Sequence, residues 1–165
     1  MRYAIVFALL LAVVPAAARQ TRPHTGTLVV VVDREKPLTL KPSDLAAMPR
    51  TKVTYKQADG RAVVHEGVLV AELLKRAGAP LGKALRGDAL ASYVVATATD
   101  GYRVVFSLAE LDPEFSGSEI IVADRTNGDA LLPDQGPLRL IVTKDIPGAR
   151  SMRMLERLEL VRLPK

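Results

Sequence analysis

The chain has 165 residues, with 23 Lys and Arg against 18 Asp and Glu, 48% apolar side chains and no cysteine. That length admits one domain with a proper core and is short for two; without cysteine there are no disulfides, no thiolate metal ligands and no thiol nucleophiles. A net charge of +5, with no dense basic run and few aromatic residues for stacking, gives no basis for nucleic-acid binding.

Residues 1–18 have the three parts of an export signal: Arg2 as a positive start, an apolar run over 4–14, and Ala16-Ala17-Ala18 as a small-residue cleavage site. The 11 residues of that run, at about 1.5 Å each, fall short of a ~30 Å hydrocarbon core, so cleavage is expected rather than anchoring. No later stretch reaches the ~20 uninterrupted apolar residues of a spanning helix. The expected product is periplasmic or secreted: a polar lead-in over 19–25, then a single domain over 26–165.

Residues 28–32 form a β-branched run without alternation, which predicts a strand buried on both faces, and 38–40 continue the pairing after Pro37. Ser43 stands where a helix cap belongs, with Asp44 in the first turn and Pro49 closing a short helix through Met48. Strands over 51–57 and 61–66 flank Ala58-Asp59-Gly60, a hairpin signal. Over 68–77, Val70, Leu73, Leu74 and Ala77 share one helical face, and Gly78 and Pro80 stop the helix. A second hairpin, over 91–98 and 102–106, turns at Asp100-Gly101, and Ser107 to Glu110 matches a capping box. Residues 120–123 and 130–132 flank Asn127-Gly128, a third hairpin signal; 138–142 and the alternating 158–163 complete the strands. The fold class is α+β, mostly β with two or three short helices.

Chemistry-bearing motifs are few. There is no Gly-x-Ser-x-Gly elbow, and Phe115-Ser116-Gly117-Ser118 reads as a polar turn. His65 is the single histidine of the expected domain, since His24 lies in the lead-in; two histidines do not make a zinc site, and the metal expectation is none. A strand histidine of this kind is more often structural or solvated than catalytic. Residues 124–129 have calcium-like composition with the oxygen donors at the wrong positions, and a hairpin turn explains them better. Phosphate-cradling glycine loops are absent. Arginines remain: Arg139 in an apolar strand, and Arg150 and Arg153 after Pro147-Gly148, whose guanidinium forks suit phosphate or carboxylate oxygens. Ion pairing with Asp145, Glu156 or Glu159 is the competing use of each.

Three blocks then carry a resemblance: Asp100-Gly101-Tyr102-Arg103-Val104-Val105-Phe106-Ser107, Gly136-Pro137-Leu138-Arg139-Leu140-Ile141-Val142, and Gly148-Ala149-Arg150. With Glu66-Gly67-Val68-Leu69-Val70 opening a helix that ends at Ala77-Gly78, and Ile121-Val122-Ala123-Asp124-Arg125, they cover most of 38–163 in one order. The chain resembles the stand-alone oxidoreductase molybdopterin-binding domain of the sulfite oxidase family. That resemblance implies the family's mostly β fold and makes molybdopterin the cofactor to consider. In the family one cysteine thiolate ligates the metal, and its place falls near Tyr55, so thiolate ligation of molybdenum is impossible here. Lys56 and Gln57 follow where cofactor-contacting residues are expected, Arg150 matches a segment near the cofactor, and Ser151 replaces the family's usual Trp. The cofactor-binding candidates are Tyr55, Arg139 and Arg150. The resulting expectation is an exported, non-catalytic binding or accessory module whose partner is another periplasmic protein or a small anionic ligand. The alternative is a molybdopterin-dependent oxidoreductase with an unconventional site.

Overall fold

A computed structural model describes residues 25–33, 36–146, 148 and 150–164. The expected signal, the lead-in before Thr25, and Pro147 and Ala149 of the arginine-bearing turn lie outside the described residues. The strands are β1 (Leu28–Val32), β2 (Leu38–Leu40), β3 (Thr51–Lys56), β4 (Ala62–Leu69), β5 (Ser92–Ala98), β6 (Arg103–Ser107), β7 (Ile120–Thr126), β8 (Asp129–Ala130), β9 (Arg139–Val142) and β10 (Leu155–Arg162). The helices are short: α1 (Pro42–Ala46), α2 (Val70–Arg76), α3 (Leu108–Leu111) and α4 (Pro113–Ser116).

Two sheets result. The first has the order β2-β1-β10-β5-β6, with β10 parallel to β1 and antiparallel to β5. The second is β3-β4-β7, and the far edge of β7 is shared by β8 on residues 125–126 and β9 on residues 120–123. Alternation decides which side chains meet. Val68, Val122, Leu140 and Val142 of the second sheet join Leu28, Val30, Val94, Ala96, Phe106 and Leu158 of the first, with Leu73 and Leu74 of α2, in the main core. The opposite face of the second sheet carries a smaller cluster of Val53, Tyr55, Ile121, Ala123 and Ile141. It is this outer face that carries the polar groups described below.

Several boundaries differ from the expectation for identifiable reasons. α1 starts at Pro42, whose fixed φ suits the first helical position, so Lys41 rather than Ser43 is the cap, and Asp44 Oδ2 accepts from Lys41 N at 2.8 Å. β4 runs on through Gly67, Val68 and Leu69 because these pair with Ala123, Val122 and Ile121 of β7, and α2 therefore begins two residues late. Ser107 Oγ does accept from Glu110 N at 3.1 Å, but the Glu110 carboxylate, instead of closing the capping box, bonds Arg150. The strand expected over 130–132 shrinks to two residues, and Leu132 ends 67% exposed ahead of Pro133. The Asn127-Gly128 turn has positive φ at both residues, 51° and 93°, as a tight hairpin of the right twist requires.

Gly67 occupies the tightest point of the second sheet. A Cβ there would stand 2.0 Å from Val122 O and 2.6 Å from Ala123 Cα, both backbone atoms that cannot swing aside, and the β4–β7 register shifts between Glu66 and Gly67. Gly67→Ala is expected to lower stability by roughly 3 kcal/mol, the upper end for forced overpacking; denaturant midpoints of the two proteins measure it.

Candidate binding cleft

The register of β3, β4, β7 and β9 sets four polar side chains on the outer face. Tyr55 pairs across from Val63, His65 pairs with both Val53 and Thr126, and Arg139 pairs with Ala123. Tyr55 is 5% exposed and His65 1% exposed. The Arg139 guanidinium carbon lies 5.8 Å from the centre of the Tyr55 ring, and the Tyr55 and His65 rings meet edge-on at 6.0 Å. A cation over a ring face is attracted by its quadrupole, so Tyr55 is a floor for Arg139. These residues line a cleft of about 680 Å³, within the range of small-molecule sites, together with Gln57, Thr126, Gln135, Ser151 and Arg153. A neighbouring cavity of about 530 Å³, lined by Asp100, Tyr102 and Asp134, shares Gly148, Ser151 and Arg153 with it.

Arg139 differs from the other half-buried arginines in its partners. Arg50 is held by both oxygens of Asp124 and by Glu66 Oε1 at 3.3 Å, tying the entry of β3 to β4 and β7. Arg150 is held by Asp145 at 2.7 and 2.6 Å and by Glu110 at 2.7 Å, with its guanidinium carbon 5.0 Å from the centre of the Phe106 ring. Hydrogen bonding to Asp145 dominates the upward shift of its pKa. Arg139 has no carboxylate partner among the described residues: Nη1 donates to Gln135 Oε1 at 2.9 Å, and Nε is buried with no partner. Burial, and next to it the charge of Arg153, lower its pKa against the opposing pull of Tyr55 and Asp134, while the guanidinium stays protonated. A buried donor left unmet costs about 1–3 kcal/mol, so this arginine stands where stability alone would not put it.

His65 completes the polar floor. Nδ1 lies 2.9 Å from Thr126 Oγ1, and Nε2 is buried with no partner. The Thr126 hydroxyl can donate to or accept from Nδ1, so Nε2 can present either a hydrogen or a lone pair. Burial first, then the charge of Arg139, push the His65 pKa down to about 4, against a weaker opposing hydrogen bond to the Arg125 main chain. The ring is neutral at physiological pH.

The structure therefore brings Tyr55 and Arg139 together and leaves Arg150 apart, among carboxylates and outside the residues that line the cleft. Gln57 lines the cleft, whereas Lys56 alternates onto the exposed side of β3. Arg153 also lines it, with Nη1 3.8 Å from Asp134 Oδ2. Ser151 lines it too, and its Oγ accepts from Val142 N at 3.0 Å. Sequence reasoning gave His65 a bland role; its place in the Val63-His65-Gly67 alternation, in step with Val53 and Tyr55 across the hairpin, was the signal that it faces inward. Gln135 and Thr126 carried no such signal.

The chain belongs to the oxidoreductase molybdopterin binding domain family, whose model matches residues 14–165. Among solved structures it is similar to the sulfane dehydrogenase SoxCD from Paracoccus pantotrophus, with 18% identity and a TM-score of 0.64 over 83% of this chain and 38% of that one. The chain thus spans well under half the length of that neighbour, and the likeness is one of fold. A comparison with curated proteins finds no match. The family's metal centre does not fit the residues present. The chain has no cysteine, and Tyr55, near the place the resemblance gives the ligand, is a phenol packed between Arg139 and His65. Among the described residues no three His, Asp or Glu side chains gather to hold a metal ion, and no helix is long and apolar enough to cross a membrane.

Two outcomes follow from the charges. As pH falls from about 6.5 to about 4 the unfolded chain takes up a proton at His65 that the folded one refuses, so stability declines across that window, by up to about 3 kcal/mol. His65→Asn should flatten this decline in melts run from pH 7 to pH 4. Arg139→Gln removes an unmet guanidinium and should raise the stability of the ligand-free protein by about 1 kcal/mol, whereas Arg150→Gln, which strands Asp145 and Glu110, should lower it by about 1–2 kcal/mol.

Proposed function

We propose that the protein is an exported, non-catalytic binding module: a molybdopterin-binding-domain fold that uses its outer-face cleft to hold a small anionic ligand. The observation that carries this reading is Arg139, half-buried over Tyr55, without a carboxylate and with Nε unmet. Folded proteins retain such costly groups at sites of function, where a ligand supplies the missing partner. The missing thiolate supports the non-catalytic part, because the soft anionic donor for the metal is absent from the chain. The export part is supported by the composition of residues 1–18 alone. As an accessory domain it would present the bound anion to another periplasmic protein.

The family match favours a second reading, a molybdopterin-dependent oxidoreductase with an unconventional site. The two separate on content. Protein purified from the periplasm of a cofactor-competent host is expected to carry molybdenum far below one atom per chain, to start near Arg19 by mass spectrometry, and to melt at a higher temperature in an organic anion. Binding to the folded state alone raises stability by mass action, and Arg139→Gln should abolish the rise. Near-equimolar molybdenum with released pterin, and dye-linked oxidation of sulfite by that protein, would establish the second reading instead.

A further inference from the structure

The charges and open groups of the cleft also define the class of anion, an inference that rests on the reading of the Arg139 cleft as a binding site. Nη1 of Arg139 is taken by Gln135, while Nη2 and Nε have no partner among the described residues. These two nitrogens form one edge of the guanidinium, whose parallel N–H bonds match the two oxygens of a carboxylate. The cleft offers little more positive charge than that one edge. Arg153 has Asp134 beside it, His65 is neutral, no lysine lines the cleft, and Asp129 stands at its rim. A dianion such as a phosphate monoester would therefore bring a second negative charge for which the cleft offers only Arg153, already beside Asp134, and which Asp129 in the lining would oppose. Part of the wall is apolar, where Ala58, Ala130, Leu131 and the exposed Leu132 line the cleft.

We propose that the cleft binds a monocarboxylate carried on an apolar body, its two oxygens on the Nε and Nη2 edge of Arg139 and its body against Leu131 and Leu132. Nε is closed to solvent, so the long Arg139 side chain turns slightly to receive the second oxygen. The exposed side chain of Leu132 is covered by the body.

Titration calorimetry on the full-length mature protein tests this with benzoate, benzamide and phenyl phosphate at about pH 8, where the phosphate ester is a dianion. Benzoate is expected to bind at least about tenfold more tightly than either of the others, Arg139→Lys to weaken it about tenfold because an ammonium lacks the fork, and Arg139→Gln to abolish it. A wild-type or higher melting temperature in the variants shows that they are folded. Phenyl phosphate binding as tightly as benzoate, with both lost in Arg139→Gln, would overturn the ligand class and leave the cleft reading standing. If no probe binds, or if benzoate binds Arg139→Gln as it binds wild type, the cleft reading falls as well.

Discussion

The second sheet depends on one place where backbone meets backbone with no room for a side chain. Gly67 of β4 lies so close to Val122 and Ala123 of β7 that a methyl group would overlap the Val122 carbonyl oxygen. That approach coincides with the register shift after Glu66, and a one-residue slip in a strand turns every side chain to the other face. The shift is what lets His65 pair with Thr126 while Gly67 pairs with Ala123, and Ala123 in turn pairs with Arg139. Tyr55, His65, Thr126 and Arg139 share a face because this contact fixes how β3, β4, β7 and β9 are aligned.

The distribution of carboxylates separates the structural arginines from the functional candidate. Arg50 and Arg150 each tie two or more elements together through two acidic partners, and in each the ion pairing outweighs burial and raises the pKa. Arg139 has burial without such pairing, and its pKa moves the other way. It is the same side-chain type in three settings, and only one of them leaves donors for a ligand. The neutral imidazole beside it adds a polar group without adding charge. The proposed anion would thus meet a single unpaired guanidinium in a cleft that carries little net positive charge of its own.

Much of the scaffold was legible in the sequence because its signals are local. β1 and β2 fall where the β-branched run and the segment after Pro37 place them, and Asn127-Gly128 turns as its two residue types demand. What eluded the sequence depends on distant partners. β4 extends through Leu69 because β7 is there to pair with it, although the same residues open an amphipathic helical pattern. Of the residues that share the candidate cleft, Tyr55 and Arg139 were picked out in the sequence, one through a family resemblance and one as a charged residue in an apolar strand. Arg150 looked equivalent to Arg139 on sequence grounds; ion pairing with Asp145, the competing use the sequence offered, is what holds it, and nothing local reveals that Glu110, 40 residues away, joins the pair. His65 shows the same limit, since its burial follows from what β7 lays beside it.

The most direct test is to watch the Arg139 Nε–H itself. In a proton–nitrogen correlation spectrum of arginine side chains, the resonance that Arg139→Lys removes should shift strongly as benzoate is added, while Arg150 Nε, already bonded to Asp145, stays unmoved. If the Arg139 resonance is unchanged at saturating benzoate, or if only exposed arginines respond, the guanidinium is not a ligand-binding group and the account is contradicted.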